Sequence, residues 1–216
     1  MAGDIAHHLD AASPPSAPGI YRPVALNERL YQGEILERAI EWVPKYDDAS
    51  PDHVVGVEPR LHRLAIVMIQ ECDLAQDWSR RTSEVRIVTE LTCVLLCPAF
   101  PADELRTAQD INNKRWEPIR ANKNERYQYL AEVPKELDGI SEGHAALLID
   151  FKSVFAVRTI ELYRQLRMTG APRRRCRLET PWAEHLQSRF AAYQARIGLP
   201  RDHFVPENRR TEAASR

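Results

Sequence analysis

Two apolar runs limit what this chain can fold into. LAIVMIQ, Leu64 to Gln70, lies between Arg63 and Glu71 and is rich in Ile and Val. VRIVTELTCVLLCPAF, residues 85–100, ends among Pro98 and Pro101. Runs this short, with no polar side to turn toward water, fit strands buried on both faces better than helices. If the second run is extended, Cys93, Leu95 and Cys97 alternate onto one face.

The flanking segments divide by their breakers. RLYQGEILERAIEWV has helical spacing at Leu36, Ile40 and Val43, yet Gly33 and its apolar clusters also suit a strand pair around a bend. YDDASPDHVVGVEPR carries Pro51, Gly56 and Pro59 and reads as turns. PADELRTAQDINNKRW has the proline and early acids of a helix start. NERYQYLAEVP and HAALLIDFKSVFAV return to strand character. Near the end, Thr180 is placed as an N-cap and Pro181 at the first helical position. Trp182, Leu186, Phe190, Tyr193 and Ile197 then form one stripe before Gly198 and Pro200, which predicts a helix over 181–197.

Strands that do not alternate regularly with helices, followed by a closing helix, predict the α+β class: a compact, strongly bent sheet or small barrel with a C-terminal amphipathic helix. The 216 residues suit one domain over 26–200. A Pro-, Ala- and Ser-rich arm, DAASPPSAPGIYRP at 10–23, puts residues 1–25 outside it, and a polar tail fills 201–216.

Charge excludes a strong general preference. Thirty Lys and Arg against thirty-one Asp and Glu leave −1, so any polyanion site rests on local asymmetry. The marked asymmetry is Arg164, Arg167, Arg173, Arg174, Arg175 and Arg177, a block without an acid between Glu161 and Glu179. It suits phosphates of RNA or DNA, an acidic protein partner, or a solvated turn. Arg115, Arg120, Lys123 and Arg126 with Trp116, Tyr127 and Tyr129 add a pattern that matches single-strand stacking platforms and equally an ordinary loop.

Cys72-Asp73, which follows the first apolar run, is the weak catalytic candidate. As a nucleophile, Cys72 needs a basic neighbour: Arg126 for charge, His62 or His144 as base, with Asn124 and Asp150 on loops that converge on it. As structure, Cys72 is a small buried hydrophobe and Asp73 caps the turn after the strand. The four cysteines form no CxxC pair, and the histidines lack ligand spacing, so no metal site is expected. No Gly-rich phosphate loop follows a strand, and no cofactor is implied. The opening residues lack the apolar core of a secretory signal and no run is long enough to cross a bilayer, so a cytoplasmic chain with reduced thiols and no membrane partner is expected. Oligomeric state is left open.

YQGEIL, RLAIVM and CVLLCP together resemble the SH3-like barrels of the MazF/PemK toxin group over about residues 33–101. The resemblance implies a small barrel, an RNA-cleaving arginine at Arg63, and a Thr or Ser after the third strand. Leu64 stands where that group has proline, and Ala99, Phe100 and Pro101 follow Pro98 without a hydroxyl. QECDLAQDW is an insertion relative to that group. The resemblance therefore implies a barrel without the nuclease: a nucleic-acid-associated, non-catalytic protein of a bacterial toxin–antitoxin or phage-defence type module. An interaction module without chemistry and a Cys72-dependent enzyme are the alternatives.

Overall fold

The computed structural model describes residues 19–83, 91–168 and 172–196. Eight antiparallel strands form one sheet: β1 (Tyr21–Arg22), β2 (Glu34–Asp47), β3 (Ser50–Val67), β4 (Cys93–Pro101), β5 (Tyr127–Leu130), β6 (Leu147–Asp150), β7 (Phe155–Arg158) and β8 (Arg173–Leu178). Their order is β1-β8-β2-β3-β4-β6-β5, with β7 also on β4, and the sheet curls into a half-barrel. Among the described residues five α-helices complete the α+β fold: α1 (Glu71–Thr82), α2 (Ala102–Ala108), α3 (Asn113–Arg120), α4 (Thr159–Gln165) and α5 (Trp182–Gln194).

The apolar runs sit where both faces are covered. Leu64 and Ile66 join one core with Ile35, Cys97, Phe151 and Phe190, which α5 covers. Ala65 and Val67 join the opposite core with Leu36, Leu74, Leu96 and Leu162, which α1 and α4 cover. β4 behaves likewise: Leu95 and Cys97 pack in the first core, Val94 and Leu96 in the second. The expected alternation is present and the strand ends at Pro101, but Pro98 does not stop it. Pro98 pairs with Ala65 at the end of the β3 ladder, and Ala99 opens the β6 ladder. A residue without an N–H thus lies where β4 changes partner.

Residues 46–60, expected as turns, instead form the outer half of a long β2–β3 hairpin with pairs from Ile35↔Ile66 to Asp47↔Ser50. The segment with mixed helix and strand signals is its first strand. Pairing over this length overrides the breakers, and the outer ribbon's prolines need no N–H partner at a solvent edge. The register shifts around Tyr46, beside the Lys45↔Gly56 pair. Gly33 makes the bend into β2 at φ +71°, with the Leu178 side chain 3.0 Å from where a Cβ would stand, so only glycine fits without strain.

Two boundaries move. β1 pairs with β8 and Tyr21 is buried, so residues expected in the N-terminal arm belong to the sheet. The C-terminal helix begins at Trp182, after Pro181, and ends at Gln194. Thr180 does not cap it; its hydroxyl donates to Glu184 Oε1 at 2.9 Å. Ala183, Leu186 and Phe190 are buried and Tyr193 is half-buried, whereas Trp182 is 39 % exposed. Ile197, residues 1–18 and the expected tail lie outside the described residues. Truncating Phe190, which packs on Phe151, to alanine is expected to cost about 3–5 kcal/mol. Urea unfolding followed by circular dichroism measures it, and an unchanged midpoint contradicts the packing of α5.

Candidate nucleic-acid interface

The arginine block is largely a strand, and most of its charge is already matched. Arg174 is 4 % exposed. It donates to Glu34 Oε1 at 2.6 Å and Oε2 at 2.8 Å, and to the carbonyls of Ala25, Glu28 and Arg29. Arg175, equally buried, grips Asp138 with two nitrogens and reaches Glu37 Oε2 at 2.6 Å. Arg173 pairs with Glu37 at 2.7 Å. Arg177 lies over the Tyr31 ring at 3.9 Å. Arg164, on α4, and Arg167 after it are exposed, apart from this strand. Arg174 and Arg175 are therefore withdrawn from the phosphate-binding set: their donors face carboxylates and carbonyls inside the fold. The acids come from residues 34, 37 and 138, far outside the local window that looked acid-free.

Cys72-Asp73 also lies elsewhere than the strand expectation placed it. β3 ends at Val67, and the pair sits in the first turn of α1. Cys72 is exposed, not a buried hydrophobe. Asp73 does not cap a turn; the residue preceding the helix is Gln70, whose side chain makes no capping bond. Cys72 Sγ contacts only Gln70 at 3.7 Å and Asp73 at 3.8 Å among hydrogen-bond partners of the described residues. The fixed group here is Glu71. Its carboxylate accepts from Gln32 N and pairs with Arg29, while its own N–H donates to Gln32 Oε1.

The supporting groups expected around Cys72 collect somewhere else. Arg126 binds Asp150 with two nitrogens, at 2.7 and 2.5 Å, and Asn124 Oδ1 accepts from the N–H groups of Arg126 and Tyr127. These residues adjoin the C-terminal half of α5 through Arg189, whereas Gln32, beside Glu71, donates to Ala183 O at the other end. Six helical residues, from Ala183 to Arg189, separate the two contacts by about 9 Å along the axis. His62 stacks on Phe155 and contacts Glu41 at 2.9 Å. His144 contacts Ala145 O, and burial lowers its pKa. No base meets Cys72 among the described residues. Arg63 pairs with Glu104 on the surface at 3.1 Å.

A concave surface between the α3–β5 loop and α5 holds the better charge arrangement. Pro118, Lys123, Asn124, Glu125, Arg126 and Lys152 form one side, with Arg189, Tyr193 and Arg196 on α5 and just beyond it opposite. Asn112 caps α3 by accepting from Arg115 N at 3.0 Å, and Trp116 and Ile119 anchor it against Tyr127 and Leu148. Trp116 and Tyr127 are buried there, so they are core and not stacking platforms. Five cations line the groove with one carboxylate, Glu125, and a second carboxylate, the buried Asp150, pairs with one of them. Arg196 is matched by Glu125 at 2.9 Å and Arg126 by Asp150. Arg189 directs its donors to Gln128 Oε1 and the carbonyls of Asn124 and Tyr127, and burial lowers its pKa. Lys123 and Lys152 are exposed. Tyr193 offers a half-buried ring with Arg196 above it at 5.7 Å. The sequence pattern of Arg115 to Tyr129 marked one wall of this groove; the α5 wall gave no local signal.

Among the described residues, no group of three His, Cys, Asp or Glu could hold a metal ion, and no helix is long and apolar enough to cross a membrane. Comparison with known proteins finds no match to a family model, a curated protein or a solved structure.

Burial pushes the Cys97 and Cys176 thiols up to about 12, so in the folded protein iodoacetamide at pH 8 should label exposed Cys72 and leave those two unreacted. Mass spectrometry of the alkylated peptides reads the result; labelling of Cys97 or Cys176 before unfolding contradicts it. Burial acts upward on the Asp138 pKa, but the hydrogen bonds and charge of Arg175, with the N–H groups of Gly143 and Glu142, pull it below the usual carboxylate range. Burial likewise acts upward on Glu37, and Arg173 with Arg175 brings it down. Their stabilisation is complete above the unfolded pKa values, about 3.9 and 4.3, and is lost as pH falls through the lower folded ones. Asp138→Asn should therefore lower stability at pH 7 and flatten the acid limb, as read from urea midpoints between pH 7 and 3.

Proposed function

We propose that the protein associates with single-stranded nucleic acid through the groove between the α3–β5 loop and α5, without catalysing a reaction on it. The observation that carries this reading is the excess of five cations over two carboxylates around one half-buried aromatic ring, in a chain whose net charge is −1. Lys123, Lys152 and Arg196 contact phosphates, and Arg189 supplies fixed positive charge from below. Tyr193 offers its ring to a base. Such backbone contacts are independent of sequence, so the expected binding is tolerant of base order and weakens with salt. A toxin–antitoxin or phage-defence setting rests on the barrel resemblance alone.

A reading without chemistry is supported by what each candidate reactive group touches. Among the described residues Cys72 meets no base, and Arg63 is engaged by Glu104. An acidic protein surface is the competing occupant of the groove, because it offers the same charges without stackable bases.

Fluorescence anisotropy with labelled single-stranded RNA and DNA at two salt concentrations tests the reading. The combined Lys123→Ala and Lys152→Ala variant is expected to weaken binding uniformly across sequences and to reduce the salt slope by roughly one for each phosphate no longer neutralised. Tyr193→Ala should weaken binding to a single strand more than to a duplex. No binding at low salt, or binding indifferent to these residues, rejects the proposal.

A further inference from the structure

The outer β2–β3 ribbon is built with two unlike faces. Residues directly opposite in an antiparallel pair share a face. The pairs Ile40↔Leu61, Trp42↔Pro59 and Pro44↔Val57 are therefore apolar together, continued by Tyr46↔Val54. The intervening pairs each carry charge: Glu41↔Arg60 with an ion pair at 3.5 Å, then Val43↔Glu58, apolar on one strand and acidic on the other. An amphipathic ribbon normally lays its apolar face on a core. Here Trp42, Tyr46, Val54, Val55, Val57 and Leu61 are each more than half exposed. Between Glu37 on β2 and Ala65 on β3, neither outer edge pairs with another strand among the described residues. Gln165 covers part of one edge, its amide bonding Ile40 N and O.

At the ribbon's base is a groove of about 530 Å³, in which Trp42 and Val57 face Ala156, Val157 and Ile160, with Arg158, Arg164 and one acid, Glu161, also lining it. Ile160 is 60 % exposed on α4. The ion pair of Arg164 with Glu161 is long, at 4.0 Å. At the other end, the ribbon tip carries Asp47, Asp48 and Asp52, with no Lys or Arg from Asp47 to Val57. The tip, acidic with Val54 and Val55 beside it, thus complements the groove, which is largely apolar and carries two arginines to one glutamate. From Trp42 to Asp47 the ribbon extends roughly 17 Å, so two ribbons laid antiparallel bring each tip to the other's base.

The geometry points to a symmetric dimer in which the ribbons of two copies of this chain pack apolar face to apolar face, each tip seated in the partner copy's groove. One patch meets its own copy around a two-fold axis, which closes the assembly. With Ile160, the exposed apolar side chains present on the order of 600 Å² per chain, the top of the range for a patch on a monomer. Two copies bury roughly 1,200 Å², the lower bound for a specific interface. Nucleic acid is disfavoured here by the three aspartates. No residue of the α3–β5 groove takes part, so the dimer stands independently of the proposed function.

Sedimentation equilibrium of the full chain over about a hundredfold range of concentration, with a circular dichroism spectrum for each variant, provides the test. The wild type should approach twice 24.8 kDa, and Trp42→Glu should weaken self-association by about tenfold or more. Two charge reversals make the test specific. A chain with Arg158→Glu and Arg164→Glu sets carboxylates against its own tip, and one with Asp48→Lys and Asp52→Lys sets cations against its own groove. Each alone should be monomeric, while their mixture should form a heterodimer. A monomeric wild type at every concentration, reversed chains that still self-associate, a mixture that stays monomeric, or an open-ended polymer would each overturn the dimer.

Discussion

The pair between Arg174 and Glu34 is the interaction on which most of the architecture hangs. Both side chains are essentially out of water, at 3 % and 0 % exposure. The remaining donors of Arg174 hold the carbonyls of Ala25, Glu28 and Arg29, so one guanidinium fixes the whole approach to β2. That approach places Gln32, whose side chain ties the start of α1 to the start of α5. A buried ion pair need not add stability over an apolar replacement, but removing one partner strands a charge at a cost of about 3–5 kcal/mol. Its contribution here is to geometry: it ties β8 to β2 beside the register shift between Ile35 and Leu36. The neighbouring Arg175, Glu37 and Asp138 repeat the principle one residue along.

The parts of the fold legible in the sequence are those governed by continuous apolar pattern. Leu64 to Val67 alternate between two cores, which is why every side chain there is apolar and why the strand is recognisable. Leu186 and Phe190 announce α5 in the same way. The hairpin beyond Trp42 cannot be read so, because its stability comes from partners across the ladder and its prolines stand at open edges. The helix start just after Ile69 is hidden because Gln70 carries no capping bond and the apolar run leads straight into Glu71. β8 is hidden for another reason: RRRCRL has no period-two apolar pattern, since buried arginines take the places that apolar side chains usually fill.

The same logic separates the candidate residues. Composition within a window shows which charges are near in the chain, not which are near in space. Arg173 to Arg175 look unopposed only because their acids arrive from β2 and from Asp138. The groove between Lys123 and Arg196 is the converse case. Acids and bases are mixed along residues 114–126, yet folding engages Asp150 on Arg126 and leaves Lys123 and Lys152 outward. The cysteine beside Asp73 is exposed and meets no base among the described residues, so proximity in sequence to a buried strand is a guide to location and not to chemistry.

The short β1 strand pairs with β8 through Tyr21↔Leu178 and Arg22↔Arg177. The Arg22–Glu179 ion pair at this seam joins residues 157 positions apart. During synthesis the β2–β3 hairpin, whose partners are neighbours in the chain, can close early, while the buried glutamate of β2 waits for an arginine 140 positions later. Ordering a long loop late is entropically costly and slow compared with local pairing. Until then β2 has one of its two strand neighbours, β3, and lacks the other. Completion of the β1–β8–β2 flank of the half-barrel is thus tied to synthesis of β8.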